Sequence, residues 1–167
     1  MYKKSFDEMN CAAARALEQI GEWWTLLLIR EAFYGTATFS GFHVRLGIAR
    51  NVLAERLKLL VQHGIFHREQ PKPGVERYTY HLTEKGRELL PVLVALMQWG
   101  DKWIFGEGHE PLRIVDGLQK RAIRKLTVNA ADGRPLAIAD LRFRPGPGAD
   151  RQTLERFAEA RQKRYSR

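Results

Sequence analysis

Apolar positions change their period twice between residues 38 and 82, and each change predicts a different element. Phe39, Phe42 and Leu46 recur at helical intervals with Ser40 near the start, and Gly47 stands where a C′ glycine would end a short helix. From Ile48 a second stripe follows, with Leu53, Leu57, Leu60 and Val61 at i, i+4, i+7 and i+8. It predicts an amphipathic helix over 49–63 that Gly64 stops. The period then shortens to that of strands. Residues 65–70 (IFHREQ) and 75–82 (VERYTYHL) are short β-prone runs, and Pro71, Pro73 and Gly74 between them supply a turn. Helix, glycine turn, helix and two-stranded ribbon, in that order, make a winged helix-turn-helix.

Flanking segments extend the helical part. Residues 11–20 predict a first helix with Asn10 as N-cap and Ala14, Leu17 and Ile20 inward. Residues 22–33 predict a second, with Trp24, Leu27, Leu28 and Phe33 in the core. After Thr83 a long helix reaching 105 carries Leu89, Leu93, Leu96, Met97, Trp99 and Trp103, with Pro91 placed to kink it. Beyond residue 107 the pattern alternates around Asp132-Gly133, predicting a β-hairpin within 122–144. RPGPGAD at 144–150 reads as a stiff linker, and 151–167 as a basic, weakly amphipathic tail with Leu154 and Phe157. The expected fold is mainly α with a small β part (α+β). A winged helix-turn-helix domain occupies 1–107 and a C-terminal extension with the hairpin, linker and tail occupies 108–167.

The face of the 49–63 helix opposite its apolar stripe carries Arg50, Asn51, Ala54, Glu55 and Lys58, with Arg56 on the flank. Such side chains can read base edges: Arg bonds guanine bidentately, Asn bonds adenine, and Ala meets a thymine methyl. A merely solvated face would have the same composition. The ribbon tilts the balance towards DNA, because Lys72 and Arg77 lie at or near its tip, where a wing meets phosphate. Arg45 adds a cation on the preceding helix. The long apolar face of the 83–105 segment suits either a dimer seam or packing on its own domain.

Three segments resemble the HxlR family of bacterial transcriptional regulators, winged-helix relatives of the MarR group. They are GEWWTLLLIREAFYG at 21–35, FSGFHVRLGIARNVLAERLKLLVQHGI at 39–65 and RYTYHLTEKGRELLPVLVALMQWGDKW at 77–103. The resemblance implies a homodimer built from the first and last helices, so that Leu17, Leu93, Leu96, Trp99 and Trp103 become interface candidates. It also implies that the 49–63 helix enters the major groove. In several such regulators a cysteine at the start of the first helix senses oxidants or electrophiles, and Cys11 matches that position. Its helix N-terminus and Arg15 would favour the thiolate, whereas Asp7 and Glu8 oppose it; the alternative is a small residue packed at the seam. Two departures remove positive charge from helix starts. Glu22 and Trp23 stand where relatives commonly have a basic residue, and Thr38 where many have Arg. Some relatives carry cysteine pairs suggestive of a zinc ribbon in the extension; this chain has no cysteine there, so neither zinc nor another cofactor is expected.

Composition bounds these readings. The 167 residues, 44% of them hydrophobic, suffice for one domain with an extension, and the net charge is +9. That charge is unevenly placed: 14 Lys+Arg stand against 12 Asp+Glu up to Gly108, and 14 against 7 after it. DNA affinity in the winged helix must therefore come from local placement of its cations, with the tail adding sequence-independent attraction. One cysteine excludes an internal disulfide framework. The absence of a long uncharged apolar run or a signal core makes the cytoplasm the expected location and a membrane an unexpected partner. No enzyme is expected. The cysteine lies far from any histidine in sequence, His63 and His67 straddle Gly64, and no carboxylate evidently completes a site where His67 and His81 would face each other across the ribbon. The function expected is sequence-specific binding of double-stranded DNA by a homodimeric transcriptional regulator, open to an oxidant or small-molecule effector. The alternative is a winged-helix protein-interaction module without specific DNA binding, favoured by Glu22, Trp23, Thr38 and the near-neutral domain.

Overall fold

A computed structural model describes residues 5–70 and 77–165. The chain gathers into two compact units, one of residues Ala16–Leu126 and one of Met1–Arg15 with Thr127–Arg167. This division differs from the change in composition at 107/108, for a local reason. The Gln98 side chain donates to Arg124 O at 3.2 Å and accepts from Leu126 N at 2.8 Å, so the segment to 126 is tied to the helix bearing Gln98.

The helices are α1 (Ala12–Ile20), α2 (Trp23–Phe33), α3 (Phe39–Leu46) and α4 (Arg50–Gln62). They are followed by strands β1 (Phe66–Glu69) and β2 (Thr79–Leu82) and helices α5 (Glu84–Arg87) and α6 (Leu90–Gly100). A π-helical turn, Asp101–Phe105, continues α6, and α7 spans Arg151–Tyr165. The α3–α4 core stripe is as the spacing predicts: Phe42, Leu53, Leu57 and Leu60 are buried together with Leu28, Ile29, Ile48, Ile65 and Phe66. Trp24 and Phe33 pack against them. Phe42 stacks on Phe66 with ring centroids 6.2 Å apart, which fixes the ribbon to the helix-turn-helix. β1 and β2 pair antiparallel with Phe66 opposite Leu82, His67 opposite His81, Arg68 opposite Tyr80 and Glu69 opposite Thr79. The segment before α3 joins this ribbon through a Thr38–Thr79 bridge and a Tyr80 N to Ala37 O bond of 2.7 Å. The turn residues Pro71, Lys72, Pro73 and Gly74 lie outside the described residues.

Several expectations need correction. The 83–105 segment is three pieces rather than one helix. Pro91 cannot donate to the carbonyl four residues back, so the helix stops after Arg87 and restarts with Pro91 in the first turn of α6, where no donor is needed. Thr83 caps α5, accepting from Gly86 N and donating to Gly64 O at 2.6 Å. Gly86 is there because a Cβ would stand 2.3 Å from Ile65 O. The Asn10 side chain donates to Gly148 O rather than capping α1. Leu17 is exposed, and Ile20 alone in α1 is buried. The predicted hairpin contracts to residues 128–136 around one bridge, Asn129–Pro135, with Gly133 (φ 85°) and Asp132, which accepts from Arg134 N, forming its turn. No paired strand follows among the described residues of the extension; Ile138–Asp140 instead form a 3₁₀ turn. A second loop, bridged by Val115 and Ala122, belongs to the first unit.

Candidate nucleic-acid interface

The connection between α3 and α4 is set by three local devices. Thr38 Oγ1 accepts from Gly41 N at 3.1 Å and so starts α3. Gly47 adopts the left-handed conformation (φ 63°) that turns the chain, and its N–H returns to His43 O. His43 Nδ1 lies 2.8 Å from Ile48 O, while the Ile48 side chain is buried, so the turn is held at its backbone and its apolar side chain. With the stripe Leu53, Leu57 and Leu60 anchored, the opposite face of α4 has one possible orientation.

That face is open. Arg50, Asn51, Ala54, Glu55 and Lys58 are all exposed, as is Arg45 in the last turn of α3. Ala49 offers no side-chain cap to the start of α4, which leaves its first N–H groups available at the same end as Arg50 and Asn51. Arg56 is elsewhere. Its Nη2 is 3.7 Å from Glu22 Oε2 and its side chain is only 18% exposed, so it joins α4 to the start of α2 instead of standing in the open row. Glu22 and Thr38, the two sequence departures, thus have structural roles: one pairs with Arg56, the other caps α3.

The ribbon adds one cation, Arg68, that the pattern alone did not single out. The Arg68 guanidinium sits 4.0 Å from the Tyr78 ring centroid, on the face that also carries Tyr80 and Leu82. Arg77, just before β2, is exposed. Arg68 was legible only through the strand register, since its neighbour Tyr78 is diagonal to it across the ribbon. Lys72 lies outside the described residues. On the other face the His67 and His81 rings stack at 5.4 Å, and Glu69 Oε2 is 3.9 Å from His81 Nε2, so a carboxylate does approach the pair. Among the described residues no group of three metal-binding side chains forms.

The apolar candidates divide. Leu93 is 5% exposed and belongs to its own core, whereas Leu96, Trp99 and Trp103 are 52%, 57% and 66% exposed. The reason is phase: Leu93 and Val94 take the inner side of α6, and Val92, Leu96 and Trp99 the outer. Ile104 and Phe105 continue the exposed apolar surface on the π turn. Cys11 is free and exposed, and the Arg15 guanidinium is engaged by Met9 O at 2.9 Å.

A family model described as HxlR-like helix-turn-helix matches residues 19–107, the stretch holding α2 to the π turn. The chain belongs to the HxlR-like helix-turn-helix family. An uncharacterised HTH-type transcriptional regulator of Mycobacterium bovis, Mb3122, is 36% identical over 137 residues, covering 82% of this chain and 87% of its own length. Among solved structures, that of PA1607, a candidate transcription factor, superposes with a TM-score of 0.79 at 38% identity. It covers 86% of this HxlR-like chain and 100% of its own, which extends the likeness beyond the winged helix into the extension. The reduced form of the redox regulator HypR matches with a TM-score of 0.50 at 30% identity, over 54% of this chain and 90% of its own. No helix among the described residues is long and apolar enough to cross a membrane.

Proposed function

We propose that this HxlR-like protein is a transcriptional regulator that binds double-stranded DNA as a homodimer. The α4 helix enters the major groove and the ribbon lies on the sugar-phosphate backbone. The observation that carries the proposal is the open row on α4: a helix anchored by three buried leucines presents Arg50, Asn51, Ala54 and Lys58 to solvent. Those are side chains whose groups match guanine, adenine, thymine methyl and phosphate. Arg45, Arg68, Arg77 and Lys72 supply backbone contacts; Arg56 positions α4 through Glu22. The outer apolar surface of Leu96, Trp99, Trp103, Ile104 and Phe105, with Leu17 of α1, is the dimer seam, because a surface of that kind needs a partner. Titration of labelled DNA from the protein's own promoter region, against random DNA at two salt concentrations, tests the proposal. A regulator shows a gap of about 4–10 kcal/mol in favour of its site.

One observation favours the other class. Trp23 is exposed at the start of α2 beside Glu22, whose carboxylate neutralises Arg56, and an interaction module would keep such a surface for a protein partner. Equal affinity for promoter and random DNA would select that alternative. An oxidant input through Cys11 is a further part of the proposal, supported by its exposure and by the similarity to HypR. Equal DNA affinity of wild type and Cys11→Ser after mild oxidation would remove it.

A further inference from the structure

Within the unit of residues 16–126, the segment after the π turn folds back and borders an open cleft of about 520 Å³. Such a volume holds a compact organic molecule. Its apolar lining comes from Met97 on α6 and from Leu112, Ile114 and Ile123 on the returning segment. Gln98 clamps that segment to α6 through Arg124 O and Leu126 N, so the cleft is a held feature rather than a gap beside a free loop. Its floor includes a π-helical turn, a departure from α-helical geometry that recurs at functional sites.

The polar lining is unbalanced in what it still needs. Glu110 is held by Gly108 N, which donates to Oε1 at 3.1 Å. Its Oε2 has one charged neighbour, Arg113 Nη2, in a long ion pair of 3.6 Å, and accepts no shorter hydrogen bond. The Gly108 N–H and the Glu110 N–H lower the pKa of this carboxyl, partial desolvation opposes them and Arg113 adds to the lowering, so it is ionised at neutral pH. Asp101 and Glu107 line the same cleft. Of the cations there, Arg113 faces Glu110 and Lys102 lies over the Trp103 ring at 4.4 Å, leaving Lys125. A carboxylate oxygen whose one cation stands at such a distance gains from a closer donor.

The geometry points to a binding site for a small amphipathic organic cation, a primary or secondary ammonium on an apolar body. The ammonium donates to Glu110 Oε2, Asp101 adds negative charge to the same cleft, and the body lies against Met97, Leu112, Ile114 and Ile123. Occupancy would bear on α6, the helix assigned to the dimer seam. That regulatory consequence rests on the proposed function, whereas binding itself does not.

Three probes share one apolar body and differ in charge: 4-phenylbutylamine, 4-phenylbutanol and 4-phenylbutyrate. Each is titrated into the full-length protein without DNA, with backbone amide shifts as readout, so the result is separate from the fate of the DNA-binding reading. The amine is expected to saturate, moving the amides of Gly108, Glu110 and Ile123, and to bind about tenfold or more tightly than the alcohol or the carboxylate. Glu110→Gln and Asp101→Asn are each expected to remove the preference for the amine over the alcohol. Equal binding of the three probes overturns the proposal, as do no binding, shifts confined to other surfaces, or an undiminished preference in both variants. The charge series on the wild type decides the matter even where a variant fails to fold.

Discussion

Arg50 and Asn51 differ from the other polar residues of α4 in lying at its uncapped start, where the helix would come nearest to base edges. Replacing either with Ala should cost about 1–3 kcal/mol on the preferred site and relax preference at one base pair per half-site, measured by competition with single-base variants. Arg56→Ala should behave differently. Its Nη2 meets Glu22, so the variant should lose stability, seen as a lowered unfolding midpoint, with little change in which base is preferred. Gly86 tests the packing beneath. A methyl group there would meet Ile65 O at 2.3 Å, so Gly86→Ala should force α5 away from the start of β1 and lower the thermal midpoint, whereas Gly100→Ala meets nothing within 4 Å and should be tolerated.

Among the elements, the ribbon and α6 make separable claims. Arg68→Ala and Arg77→Ala should weaken all DNA sequences alike and reduce the salt slope by about one unit each, as loss of a phosphate contact does. Base preference should not move. On α6, Leu93 and Leu96 are three residues apart with opposite surroundings. Leu93→Ala should destabilise the fold by about 2–5 kcal/mol, as large-to-small core changes do. Leu96→Glu should instead leave secondary structure intact and shift sedimentation from dimer to monomer. The elements also mark where the sequence was legible. The α3–α4 pair was plain because its apolar stripe and Gly47 agree, and packing reinforced both. The Thr38 cap was hidden because a threonine in that place looked like a missing charge. Leu93 and Leu96 shared one apolar run, and only the restart of the helix at Pro91 set which of them faces in. The hairpin at 122–144 failed because alternation alone fixes no pairing: Gly133 closes a turn, but no buried face then holds two strands in register. Arg68 and the Glu69–His81 approach depended on a register that the sequence did not specify.

For the whole molecule, the distribution of charge matters more than its sum. Residues to Gly108 carry 14 Lys+Arg against 12 Asp+Glu, so the winged helix has little general attraction for a polyanion and depends on cations held in particular places. The remaining excess lies beyond residue 108, where it would raise affinity for any sequence without choosing among them. The central claim is therefore about choice: α4 of each subunit reads bases. Selection from a randomised duplex pool by the full-length protein, followed by sequencing, with wild type beside Arg50→Ala, measures that choice directly. The expected result is an inverted repeat whose half-site centres are about 10 bp or a multiple apart, with one position in each half lost in Arg50→Ala. A pool left unenriched by the wild type, or the same motif from both proteins, would contradict it.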